Sequence, residues 1–192
     1  MNTAKHKIIF EGPELSGKSY LMSQLFDFLE PKYNSGRKIM DGCHWFNCDV
    51  GVYGTKYGQE ILQEYLKIIK ILAGTNVMVE KFHLTEAVYQ KLYDRVDYDF
   101  KNIEKSLVKL NARIILTTFD EDEELIRKRL EDRLQLYPHY QRIAQKPKDY
   151  IQQQRMYLEL VKRSRLDYLV VNASQLPNEK LVEDILKFLG EI

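Results

Sequence analysis

Long apolar runs are missing from this chain. No stretch approaches the ~18 consecutive apolar residues that a membrane helix needs, so no membrane partner is expected. An excess of one charge is missing as well. Lys and Arg total 29 against 28 Asp and Glu, a formal net charge of +1. That balance removes any global argument for nucleic-acid or acidic-membrane binding and leaves only local basic patches open. Cysteine is scarce. Cys43 and Cys48, with His44 beside the first, fall short of the four spaced ligands of a structural metal site, so reduced thiols are expected. There is no internal repeat and no low-complexity stretch. Residues 1–7 lead directly into Ile8-Ile9-Phe10-Glu11 without a signal-peptide apolar region, which makes the cytoplasm the default expectation.

What is present is the composition of a folded protein. Hydrophobic residues make up 44% and charged residues 30% of 192, which excludes a disordered tail and fits one domain over 1–192. Short β-branched bursts alternate with amphipathic runs. Strands are expected at Lys7–Glu11, Arg37–Asp41, Val77–Val79, Arg113–Thr118 and Tyr168–Val171. Helical spacing marks Leu21 to Leu29, Ile61 to Leu72, Thr85 to Tyr93, Phe100 to Leu110, Glu123 to Leu134, Tyr150 to Arg163 and Leu181 to Leu189. Gly42–Gly58 reads as a loop region and Tyr137–Pro147 as a polar, aromatic connection. Strands alternating with helices predict a parallel sheet covered on both faces, with ligands beyond the carboxyl ends of its strands.

The most specific signal is Gly12-Pro13-Glu14-Leu15-Ser16-Gly17-Lys18-Ser19, a gapless G-x-x-x-x-G-K-[ST] between an expected strand and an expected helix. In such a loop the backbone N–H groups wrap a phosphate, and the following helix adds its positive end. Lys18 can then reach the β- and γ-phosphates, and the Ser19 hydroxyl can ligate Mg²⁺. The expected fold is therefore α/β, a three-layer P-loop NTPase with a five-stranded parallel sheet. The expected cofactors are Mg²⁺ and ATP as phosphoryl donor. The loop leaves the phosphoryl acceptor open.

No N-K-x-D element of a GTPase switch is present. Val77-Met78-Val79-Glu80 is instead followed by Lys81-Phe82-His83-Leu84-Thr85-Glu86-Ala87-Val88-Tyr89-Gln90. This run, and Phe10-Glu11-Gly12 at the entry to the loop, resemble the thymidylate kinases and their deoxynucleoside kinase relatives. Glu80, Lys81, Phe82, Thr85 and Tyr89-Gln90 fall without a gap on that family's motif after the third strand. The basic helix Arg127-Lys128-Arg129-Leu130-Glu131-Asp132-Arg133 is similar to the family's lid, here about 123–147. The turn Asn172-Ala173-Ser174 is similar to its loop beside the adenine. Three features depart from the pattern. Lys81 stands where the family has Arg and lacks the bidentate fork. The Arg-x-Pro segment after the second strand is absent. Tyr20 follows Ser19 in place of Thr.

The resemblance implies roles, each beside a plainer one. Glu80 either backs Mg²⁺ through water or is a strand-end acid in solvent. Lys81 either contacts a phosphate or is a solvated lysine. Arg129 and Arg133, i and i+4 on one helix, either clamp phosphates or bridge to Glu131 and Asp132. Asp41 either orients an acceptor hydroxyl or simply ends a strand. ATP contacts are expected at Gly12 to Tyr20, Arg129 and Ala173. Acceptor contacts are expected at Trp45, Phe82, Thr85, Tyr89 and Gln90, one of the aromatics stacking on a base. The leading expectation is phosphoryl transfer to a nucleoside monophosphate. A deoxynucleoside kinase acting on a hydroxyl, and an NTP-binding regulatory module without turnover, remain as alternatives. The apolar helices after the second and third strands could form a homodimer face or be internal.

Overall fold

The computed structural model describes residues 5–192. Among these residues the chain runs β1 (Lys7–Glu11), α1 (Lys18–Tyr33), β2 (Cys43–Asn47), α2 (Gly58–Ile71), β3 (Asn76–Glu80) and α3 (His83–Tyr89). It continues through α4 (Lys101–Lys109), β4 (Ala112–Thr118), α5 (Glu123–Leu136), α6 (Pro147–Val161), β5 (Asp167–Asn172) and α7 (Glu179–Leu189). A π-turn at Gln90–Asp94 extends α3, and a 3₁₀ turn at Pro138–Arg142 follows α5. No helix is long and apolar enough to cross a membrane.

The five strands form one sheet in the order β2-β3-β1-β4-β5, parallel at every pairing. β1 and β3 are buried along their whole length, as their apolar runs require of central strands covered on both sides. Leu21, Met22, Leu25 and Leu29 of α1 pack with Ile185, Leu186 and Leu189 of α7 over one face. Leu62 and Leu66 of α2, Val88 of α3, Leu107 of α4 and Tyr157 of α6 cover the other. The helix starts follow local chemistry. Asp122 accepts from Glu124 N at 2.8 Å before α5, and Asn178 accepts from Lys180 N at 3.1 Å before α7.

The second strand departs from expectation. Arg37–Met40 are exposed, and Asp41 folds back to accept from Ser35 N at 2.9 Å and from Arg37 Nη2 at 2.7 Å. The strand begins at Cys43, whose N–H donates to the buried Glu30 carboxylate at 2.7 Å, and it pairs residue by residue with Asn76–Glu80. The region expected as loop from Gly42 thus contributes a strand before Cys48. Sheet pairing decided this, because Ile39-Met40 has the same local apolarity as Trp45-Phe46.

Candidate active site

The loop from Gly12 to Ser19 turns from β1 into α1 with the backbone that a phosphate cradle needs. Gly12 has φ 133°, and a Cβ there would come within 2.3 Å of Thr117 O. Gly17 has φ 81°, again a left-handed conformation that glycine takes without strain. Lys18 is buried, and its ammonium donates to Gly12 O at 2.9 Å and Pro13 O at 2.7 Å, so it lies inside the loop. Burial pushes its pKa down from the usual lysine value. Ser16 Oγ and Thr117 Oγ1 are 2.6 Å apart, and Thr117 Oγ1 also donates to Glu11 O at 3.2 Å, which fastens the loop to β4.

At the carboxyl end of β3, Ser19 Oγ lies 3.4 Å from both carboxylate oxygens of Glu80. One hydroxyl and one carboxylate side by side are a donor set suited to Mg²⁺ with water in the remaining positions. Among the described residues no cluster of three or more His, Cys, Asp or Glu could hold a metal without such help.

A cleft of about 650 Å³ opens in front of this loop, lined by Glu14 to Tyr20, Glu80, Lys128, Arg129, Arg133, Tyr137, Ser174 and Leu176 among others. Arg129 lines the cleft and also braces the loop. Its guanidinium donates to Leu15 O, Ala173 O and Ser174 O and so ties the loop to the turn after β5. Ala173 is fully buried, and its N–H donates to Thr118 O at 2.8 Å. Arg133 has no carboxylate partner among the described residues and sits 5.6 Å from the rings of Tyr137 and Tyr140.

A second cavity of about 240 Å³ lies beside the first and shares Glu14 with it. Asp49, Gly51, Tyr53, Lys81, Tyr89, Tyr93, Tyr140, Gln145, Tyr150 and Gln153 help to line it. Lys81, at φ 60° just past β3, points between two acids, 2.5 Å from Glu14 Oε1 and 3.0 Å from Asp49 Oδ2. Burial works to raise the Glu14 pKa, but the Lys81 and Lys18 ammonium groups overcome it and hold the carboxyl at about 2. Burial opposes the Lys81 charge, while Glu14, Tyr89 and Asp49 outweigh it and raise its pKa.

Several residues expected in the site are elsewhere or do something else. Asp41 precedes β2, whose first residue pairs with the first residue of β3, so it sits at the amino edge of the sheet, opposite the loop. The acid beyond the carboxyl end of β2 is Asp49. Trp45 is half-exposed on the edge strand and packs 6.3 Å from Phe26 of α1. Phe82 is fully buried in the core. Thr85 is also buried. It donates to Glu11 Oε2 at 2.5 Å and accepts from the Tyr157 hydroxyl at 3.0 Å, so it faces no base. Gln90 donates to Glu86 Oε1 at 2.9 Å and Thr55 O at 3.2 Å behind the cavity wall. Of the expected acceptor residues only Tyr89 lines the cavity.

Two acids carry structural tasks that local sequence does not signal. Glu11 accepts from the N–H groups of Phe82 at 3.1 Å, Leu84 at 2.9 Å and Thr85 at 3.2 Å and so caps α3 across the sheet. Glu86 accepts from Gly54 N at 2.7 Å and holds the loop that carries Asp49 and Tyr53.

No protein-family description matches the chain, and no curated protein matches its sequence. Solved structures match its fold. YorR from Bacillus subtilis, in complex with phosphorylated GDP, superposes with a TM-score of 0.68 at 19% identity, covering 95% of both chains. Shikimate kinase from Bacteroides thetaiotaomicron gives 0.57 at 13% identity, covering 96% of this chain and 98% of the other. Deoxyadenosine kinase from M. mycoides, with dCMP and a flexible dCDP bound, gives 0.56 at 16% identity, covering 97% and 100%. The chain therefore has the α/β fold of the P-loop kinases, with a five-stranded all-parallel sheet flanked by helices.

Proposed function

We propose that this protein is an ATP-dependent phosphotransferase whose acceptor is a nucleoside or nucleoside monophosphate. The observation that carries the reading is the shared wall. Glu14 of the phosphate loop lines both the donor cleft and the tyrosine-lined cavity, so groups bound in the two would meet at the loop. Transfer of a phosphoryl group asks a protein mainly for positioning and charge stabilisation. Lys18 supplies a positive charge where the γ-phosphate would lie, and the loop amides orient the donor. Ser19 and Glu80 would hold Mg²⁺, which when bound neutralises phosphate charge. Arg129 fixes the loop, and Arg133 brings a charge to the cleft from the segment 123–147, which acts as the lid.

The fixed charges of the acceptor cavity favour a hydroxyl as the attacking group. Lys81 is matched there by two carboxylates, Glu14 and Asp49, so an incoming dianion meets no spare cation. Asp49 stands where it can accept the proton of a bound hydroxyl. A second reading, transfer to a monophosphate, is favoured by Arg133, which lines the donor cleft and has no carboxylate partner among the described residues. The test is a panel in which purified protein, Mg²⁺ and labelled ATP meet each nucleoside and each monophosphate. Transfer to nucleosides supports the hydroxyl reading, and transfer to monophosphates alone supports the second. Tight ATP binding without acceptor-dependent turnover would replace both with a regulatory role.

A further inference from the structure

One wall of the acceptor cavity carries two carboxamides to which phosphoryl transfer itself assigns no task. Gln145 lies just before α6 and Gln153 lies on it, and both line the cavity. Gln153 is only 3% exposed. Its Nε2 donates to Gln145 Oε1 at 2.7 Å. The backbone N–H of Gln145 donates to the Tyr150 hydroxyl at 3.1 Å, so the segment with one carboxamide is fastened to the helix with the other.

A carboxamide has one acceptor oxygen and one donor nitrogen. The bond between the two side chains uses the nitrogen of Gln153 and the oxygen of Gln145. Gln153 Oε1 and Gln145 Nε2 are left without a protein partner among the described residues, one acceptor and one donor on a hydrogen-bonded pair of side chains. Flipping both carboxamides reverses their order and keeps the same pair. The adjacent Gln154 shows the contrast. Its oxygen accepts from Phe119 N at 2.7 Å and its nitrogen donates to Phe119 O at 2.8 Å, a complete structural match. Among the described residues neither free atom is sealed from solvent, and an amide edge open to a cavity turns into discrimination when a ligand supplies the complement.

We propose that the Gln145–Gln153 pair reads the acceptor's heteroaromatic base, through an edge that presents a donor next to an acceptor. Nucleobases hold such an edge fixed in one plane, whereas the hydroxyls of carbocyclic or sugar alcohols rotate between donor and acceptor and offer no fixed pattern. Tyr89 and Tyr93, with ring centroids 5.6 Å apart, and Tyr140 give the flat apolar surfaces that a base packs against. The proposal rests on the tyrosine-lined cavity being the acceptor site.

Binding and turnover, measured side by side, test it. Isothermal titration with a non-hydrolysable ATP analogue present would compare nucleosides and monophosphates of each base, analogues methylated at the ring nitrogen of that edge, and alcohols without a base. The wild type should bind its preferred base about 100-fold more tightly than the methylated analogue. Gln153→Leu and Gln145→Ala should each remove most of that preference with ATP affinity unchanged. Gln153→Glu, which makes the edge two acceptors, should re-rank the bases. Gln145→Ala, outside any helix, keeps the test available if Gln153→Leu does not fold. Equal binding of the methylated analogue, an unchanged ranking in the variants, or binding of base-free alcohols alone would overturn the proposal. Base-selective binding without turnover would overturn the transfer reading and leave the pair's role standing. Full turnover on a methylated base would do the reverse.

Discussion

Lys81 Nζ lies 2.5 Å from Glu14 Oε1, an ion pair that joins the third strand's exit to the phosphate loop. Asp49 completes it from the other side at 3.0 Å. The three side chains are largely buried, so removing the cation leaves two acids facing each other. Lys81→Met should lower unfolding stability by about 2–3 kcal/mol in denaturant titrations. Adding Asp49→Asn should restore part of the loss, and simple additivity of the two changes would refute the coupling.

The register of β2 makes opposite predictions for two aspartates. Asp41 is held by Ser35 and Arg37 at the amino edge of the sheet, so Asp41→Asn should leave kcat/KM within about twofold. Asp49→Asn should lower kcat by about 10²-fold or more if the acceptor is a hydroxyl, and far less if it is a phosphate. Steady-state kinetics on the two variants distinguishes these outcomes.

Lys18→Ala should cut turnover by at least about 10²–10³-fold, since a buried charge beside the transferred group is lost. Circular dichroism should show the fold retained. Unreduced activity would remove Lys18 from the chemistry.

Glu11 accepts three backbone N–H groups at the start of α3. Glu11→Ala orphans all three and should cost at least about 3 kcal/mol, read from equilibrium unfolding. Glu11→Gln keeps an acceptor oxygen and should cost less. Equal losses would mean that charge, not the cap, matters.

Glu191 anchors the last residues of the chain to the start of β1. Burial works to raise its carboxyl pKa, but Lys32 at 2.6 Å, Tyr33 at 2.6 Å and His6 at 2.5 Å hold it at about 2, below the ordinary 4.5. A depressed folded-state value stabilises the protein above 4.5, and that contribution is lost as pH falls toward 2. Stability should therefore decline across this window. Glu191→Gln should flatten the decline without changing turnover, because the group lies at the far end of the sheet. An acid limb as steep as the wild type's would refute the assignment.

Much of the fold was legible locally. The phosphate loop is a contiguous pattern, and β1, β3 and β4 are apolar bursts whose burial follows from composition, while β5 shows as a β-branched run although its edge position leaves most of it exposed. The helical stripes at Ile61–Leu72 and Leu181–Leu189 face the core as their spacing requires. β2 was not legible, because an edge strand with one exposed face carries a weak pattern, and an exposed Ile39-Met40 imitates it. That single shift moved the acid beyond β2 from Asp41 to Asp49.

By itself the sequence determined the α/β class, the phosphate loop and the order of its elements, since each rests on residues within a few positions of one another. Only the tertiary structure decided that Thr85 serves Glu11, that Arg129 braces two turns, that Lys81 is matched by two acids, and that five tyrosines and two glutamines enclose one cavity. Those partners lie tens of residues apart along the chain. Local periodicity shows which face of an element is buried, but the side chain that meets it is chosen by how the sheet and helices pack.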